Sequence, residues 1–147
     1  MTISLRGIAM THAATLLVSI AAVSLLTGGA LAQAPAKAPD SLVLYFDSGS
    51  ATVGKEGQAT LDQASRLYRD GKPIVMVVSG GADAVGSPAA NLRLSQQRAD
   101  AVLRGLIARG IPAERFQVLA KGETEPAVPA TKGVAEPRNR RVEITWR

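Results

Sequence analysis

The chain has 147 residues, 17 lysines and arginines against 12 acids for a net charge of +5, and only 3% aromatic residues. That length holds one domain with one core once a leader is set aside, and sparse aromatics without a basic stripe exclude nucleic acid as a partner. Cysteine is absent and the one histidine, His12, falls in the leader, which removes the usual Ser–His and Cys–His nucleophiles and the common zinc sites, so no catalytic residue, metal or cofactor is expected.

Residues 1–32 carry one firm charge, Arg6, then an apolar run from Ala13 to Leu26, a glycine pair and Ala30-Leu31-Ala32. This three-part pattern predicts a secretory signal cleaved after Ala32. The alternative is a retained anchor, because the uncharged stretch is long enough to span a bilayer. Without cysteine there is no lipid attachment, so membrane contact is expected only through a retained leader or a partner. Residues 33–40 (QAPAKAPD) read as an Ala/Pro-rich linker, and 41–147 as the folded domain. The remaining chain carries +4, which suits an anionic polymer.

Ser41 to Phe46 (SLVLYF) predicts a strand, closed by the turn Asp47-Ser48-Gly49-Ser50. A helix from Lys55 to Asp70 follows, with Leu61, Ala64, Leu67 and Tyr68 on its apolar face and Gly71 as its stop. The run Ile74 to Val78 predicts a buried strand, broken by Gly80 and Gly81. Ser87 before Pro88 is an N-cap with proline at the first helical position, opening a helix to about Arg109 with Gly110 as its stop. Its core stripe reads Leu92, Ala99, Val102, Leu103 and Leu106, opposite the solvated Arg93, Asp100 and Arg104. Phe116 to Ala120 is a third strand, Lys121 to Arg138 a long surface loop, and Arg141 to Arg147 an alternating, half-buried strand with Trp146 on its core side. The order β-α-β-α-β-β predicts a two-layer α+β fold in which both helices cover one face of a four-stranded sheet.

Asp83 sits in the loop past the second strand, and Arg98 projects at the edge of the second helix's apolar stripe, beside Asn91 and Ser95. Helical side chains lean toward the N-terminus, so Arg98 is aimed back at the Asp83 loop. Two readings stand. The pair forms an ordinary salt bridge, or Asp83 accepts from a ligand ammonium while Arg98 grips a ligand carboxylate with two bonds.

The residue order resembles the C-terminal domain of outer-membrane protein A, shared with the peptidoglycan-associated lipoprotein and the flagellar motor B protein. The resemblance rests on Gly80, Asp83 and Gly86; on Asn91, Leu94, Ser95, Arg98, Ala99 and Val102; and on Asn139, Arg140, Arg141, Val142 and Glu143. The segments YFDSGSAT and GETEP fit as well. The chain departs from the signature at Gly81 and Ala82, which stand where the family has histidine and threonine, and at Ala90.

The resemblance implies a mixed sheet with the last strand antiparallel and inserted between the first two. It implies that Asp83 and Arg98, with Asn91 and Leu94, hold the diaminopimelate of the peptidoglycan stem peptide. Ser48, Gly49, Arg140 and Arg141 follow as secondary site candidates. The function so implied is non-covalent peptidoglycan binding in the periplasm or cell envelope, associated with the outer membrane and contributing to envelope integrity, with other envelope proteins as further partners. The alternative is a protein-interaction module of the same fold whose ligand site is vestigial, in line with the Gly81 and Ala82 departures.

Overall fold

Six main elements follow one another: β1 (Ser41–Tyr45), α1 (Lys55–Gly71), β2 (Met76–Gly80), α2 (Pro88–Ile107), β3 (Phe116–Ala120) and β4 (Arg141–Trp146). The computed structural model describes residues 39–73 and 75–147; the expected signal, most of the linker and Ile74 lie outside the described residues. Short 3-10 turns at Ala113–Arg115 and Pro137–Asn139 precede β3 and β4.

The strands form one sheet in the order β1-β4-β2-β3. β4 is antiparallel to β1 and β2, and β2 is parallel to β3, the mixed arrangement expected from the sequence. Register aligns side chains in rows across the inner face: Trp146, Met76 and Phe116; Leu42, Ile144, Val78 and Val118; Leu44, Val142, Gly80 and Ala120. Leu61 and Ala64 of α1 and Ala99, Val102 and Leu106 of α2 join this one core. Each buried leucine, isoleucine or valine among these stabilises the fold by about 1.5–3 kcal/mol relative to exposure.

The last row tapers to Gly80 and Ala120, and that taper positions the site. A Cβ on Gly80 would lie 2.1 Å from the Ser95 carbonyl oxygen, so only glycine lets the N-terminal half of α2 approach the sheet this closely. This also corrects the expected strand end. Gly80 continues the ladder opposite Val142 and Ala120 instead of breaking it.

Three further boundaries follow from local chemistry. Ser87 caps α2 as expected, its Oγ accepting from the Ala90 N–H at 3.2 Å. At the other end Gly110 takes φ +87, while its N–H donates to the Ile107 carbonyl and that of Ile111 to the Leu106 carbonyl, a Schellman closure that seats Ile111 in the core. In α1 the left-handed residue is Lys72, at φ 44, and not Gly71. Leu92 is half exposed, not core; Asn91 and Ser95 hold the buried positions at that end of the stripe.

Candidate functional site

The Asp83 loop is fastened on both sides. Gly81 extends the β2–β4 pairing by donating to the Arg141 carbonyl at 2.8 Å. From the long loop after β3, the Gly122 carbonyl accepts the Ala82 N–H at 2.7 Å, and the Gly133 N–H donates to Ala84 at 2.8 Å. These bonds supply the order that two adjacent glycines and a missing threonine hydroxyl would otherwise cost.

Asp83 is held 6% exposed at the centre of this loop. Its partner is Arg140, whose Nη1 donates to Oδ2 at 3.2 Å while its Nε donates to the Phe46 carbonyl at 3.1 Å. The direct Asp83–Arg98 salt bridge, one of the two readings of the sequence, is not formed.

Arg98 instead ties backbone together. Its residue is 0% exposed. Nε donates to the Ser50 carbonyl at 2.8 Å, Nη1 to Gly81 at 3.0 Å and Nη2 to Asp47 at 3.0 Å, and the guanidinium lies 5.4 Å from the Phe46 ring centroid. One side chain thus joins the turn after β1 to the loop after β2. Burial pulls its pKa down from the usual guanidinium range to about 10; nearby Asp83 opposes this shift and Arg140 adds to it. Arg98 therefore stays charged at neutral pH.

The remaining candidates divide into two groups. Ser48 and Gly49 form the exposed tip of the turn whose Asp47 and Ser50 carbonyls Arg98 holds, with Gly49 at φ +65. Asn91 is buried on α2, and its Nδ2 donates to Glu123 Oε2. Leu94 is half-buried on the same helix. Arg141 is not brought to the cluster: strand alternation sends it to the opposite face of the sheet, beside Ser79, Lys121, Glu125 and Glu143.

Two contributors were not among the expected site residues. Glu123, from the long loop, bridges Asn91 and Lys132, the latter at 2.5 Å; bonds from Lys132 and then Asn91 hold its carboxyl below the usual range. Ser95 accepts the Gly122 N–H at 2.9 Å and donates to the Leu92 carbonyl at 2.8 Å. The only sequence signal for Glu123 was its place in GETEP, since no periodicity runs through that loop.

Chemically, the cluster sets one carboxylate against two guanidinium groups. Among the described residues the one buried side-chain nitrogen or oxygen without a partner is Arg141 Nη1. In the bonds that Asp83 and Arg140 make, Asp83 Oδ1 and Arg140 Nη2 are not engaged. An unused acceptor and an unused donor thus stand on adjoining side chains of a largely buried ion cluster. Such a pair offers an acceptor to a cation and a donor to an anion.

The sequence profile of the OmpA family matches residues 45–140. The probable lipoprotein YiaD of Escherichia coli K12 is 37% identical over 100 residues, which cover 68% of this chain and 46% of its own length. The chain spans about a third to about half of the length of the curated relatives it matches. Among solved structures, the peptidoglycan-associated lipoprotein from Burkholderia pseudomallei superposes with a TM-score of 0.66 at 27% identity, over 71% of this chain and 89% of that one. The cell wall anchor of the T6SS from Pseudomonas aeruginosa gives 0.59 at 34% identity, over 72% and 79%.

Proposed function

The chain belongs to the OmpA family, and from that premise we propose that its domain binds peptidoglycan non-covalently in the cell envelope, contributing to envelope integrity. The ligand is the zwitterionic head of diaminopimelate in the stem peptide. Asp83 accepts its ammonium, and the field of Arg98 and Arg140 receives its carboxylate, with Asn91, Leu94 and the Ser48-Gly49 tip bordering the pocket. Binding is the whole activity and calls for no cofactor.

The observation that carries the reading is the Asp83–Arg140 ion pair, which leaves Asp83 Oδ1 and Arg140 Nη2 unengaged beside a buried arginine. Two relatives support it by name, one a peptidoglycan-associated lipoprotein and the other a cell wall anchor. The fastening of the Asp83 loop by Gly122 and Gly133 supports a working site over a vestigial one, since a loop without a ligand has no need of fixed geometry.

The test is pelleting of the purified protein with diaminopimelate-type sacculi, beside an Asp83→Asn variant whose melting is unchanged. Losing one charge-assisted bond of about 1.5–3 kcal/mol lowers binding about tenfold or more. Equal pelleting of both proteins overturns the assignment of Asp83, and pelleting of neither overturns wall binding.

A further inference from the structure

Between the end of β1 and the start of α1 lies a second cleft, of about 210 Å³, lined by Tyr45, Asp47, Thr52, Lys55 and Glu56 among others. A single water needs only about 10–15 Å³, so the cleft has room for a ring-sized group. Tyr45 is 61% exposed, whereas Phe46, Tyr68, Phe116 and Trp146 all pack in or against the core. The polar residues of the cleft fix the local backbone through their own main chain: the Asp47 carbonyl accepts from Arg98 and the Ser50 N–H, the Thr52 N–H donates to Ser50 Oγ, and the Glu56 carbonyl accepts from Thr60. In those bonds the carboxylates of Asp47 and Glu56 and the hydroxyl of Thr52 are not engaged.

These groups together match one kind of ligand. Two carboxylates accept hydroxyl protons, the Lys55 ammonium and the Thr52 and Tyr45 hydroxyls donate, and an aromatic face packs on apolar C–H groups. Two carboxylates beside one ammonium favour no anion, and the exposed ring asks for a flat apolar surface; a neutral, hydroxyl-rich sugar ring has both properties. The cleft also adjoins the ion pair. Phe46, between Tyr45 and Asp47, donates its N–H to the Arg140 carbonyl at 2.9 Å and accepts Arg140 Nε at 3.1 Å, and Arg140 in turn holds Asp83. That separation is on the order of 10 Å, which three stem-peptide residues span at about 3.3–3.6 Å each.

Resting on the peptidoglycan reading, we propose that this cleft is a subsite for the glycan strand. Tyr45 stacks on the apolar face of a hexosamine ring and Asp47 and Glu56 accept its hydroxyls, while the stem peptide of the same unit reaches the Asp83–Arg140 pair. Because sugar and peptide are covalently joined, weak sugar contacts add to affinity without a second association cost.

The experiment is calorimetric titration of the full chain with N-acetylglucosaminyl-N-acetylmuramyl-L-Ala-γ-D-Glu-meso-diaminopimelate and with the same tripeptide without sugar. Wild type should bind the sugar-bearing ligand about three- to tenfold more tightly. Tyr45→Ala should remove that advantage and leave the affinity for the tripeptide unchanged, and Tyr45→Trp, which keeps a ring, should retain it. Equal affinity of wild type for the two ligands overturns the proposal, as does an advantage that survives in the folded Tyr45→Ala protein. Amide shifts of the wild-type protein need no variant: the sugar should add changes at residues 45, 47 and 52–57 to those caused by the tripeptide, and none added there also overturns it. Binding of sacculi and of both ligands without preference removes this inference and leaves the wall-binding reading standing. Binding of none of the three removes both.

Discussion

Replacing Arg98 by lysine keeps the charge and removes the fork. The guanidinium makes three bonds of 2.8, 3.0 and 3.0 Å to carbonyls on two separate loops, and a single ammonium at the end of a shorter stem reaches one of them at best. Two charge-assisted bonds are lost, each worth about 1.5–3 kcal/mol, so Arg98→Lys should destabilise the domain by about 3–6 kcal/mol. That is a large share of the roughly 5–15 kcal/mol that holds such a domain together.

Urea unfolding followed by circular dichroism at pH 7 reads this directly. The folded-state pKa of Arg98, about 10, lies below the ordinary guanidinium value, so the unfolded chain holds this proton more tightly. The resulting penalty on the fold is constant below about pH 9 and fades as pH rises from about 10 toward the ordinary guanidinium value. Measurements between pH 6 and 8.5 should therefore give the same difference between wild type and variant. An Arg98→Lys protein as stable as wild type that has lost only its binding would refute the scaffolding role and make Arg98 a ligand contact.

Three other perturbations follow from the geometry. Gly80→Ala drives a methyl group against the Ser95 carbonyl, 2.1 Å away, where backbone must yield; it should cost about 3 kcal/mol in the same unfolding assay and weaken sacculus binding by displacing α2. Lys72 occupies a left-handed position at φ 44, so Lys72→Gly should raise stability by about 0.5–1 kcal/mol, and a loss of stability would refute the assignment of strain there. Glu136 is held down to about 2 by the Arg138 side chain and then its backbone N–H. Its stabilising effect is full above about pH 4.5 and disappears as pH falls through about 2, so the Arg138 Nε resonance should stay fixed until below pH 3, and an earlier change would contradict the pairing.

Strand β3 and both helices were legible because apolar spacing and capping residues are local signals: Phe116 to Ala120 was bounded correctly, and Ser87 and Gly110 mark the cap and closure of α2. Gly80 was misread for the same reason. Locally a glycine pair signals a break, and only the approach of Ser95 shows it to be a packing requirement. Leu92 was drawn onto the core stripe by its hydrophobicity, yet the stripe turns polar there because Asn91 and Ser95 reach across to the long loop.

The site was legible as positions and not as partners. Periodicity put Arg98 at the stripe's edge and aimed it at the Asp83 loop, where its Nη1 does bond Gly81. Its other bonds run 48 and 51 residues back along the chain, and Arg140 meets Asp83 across 57. No repeat or spacing encodes such pairings; they emerge only when β4 is inserted between β1 and β2 and carries Arg140 to the loop.

The most direct measurement is a backbone and arginine side-chain shift map of the isotope-labelled protein titrated with a diaminopimelate-containing muropeptide. The wall-binding reading expects the largest changes at residues 81–86, at the 47–50 turn and at the Arg140 Nε–H. Changes centred instead on Leu67, Tyr68 and Trp146, which line an apolar cavity of about 90 Å³, or no changes at millimolar ligand, would contradict it.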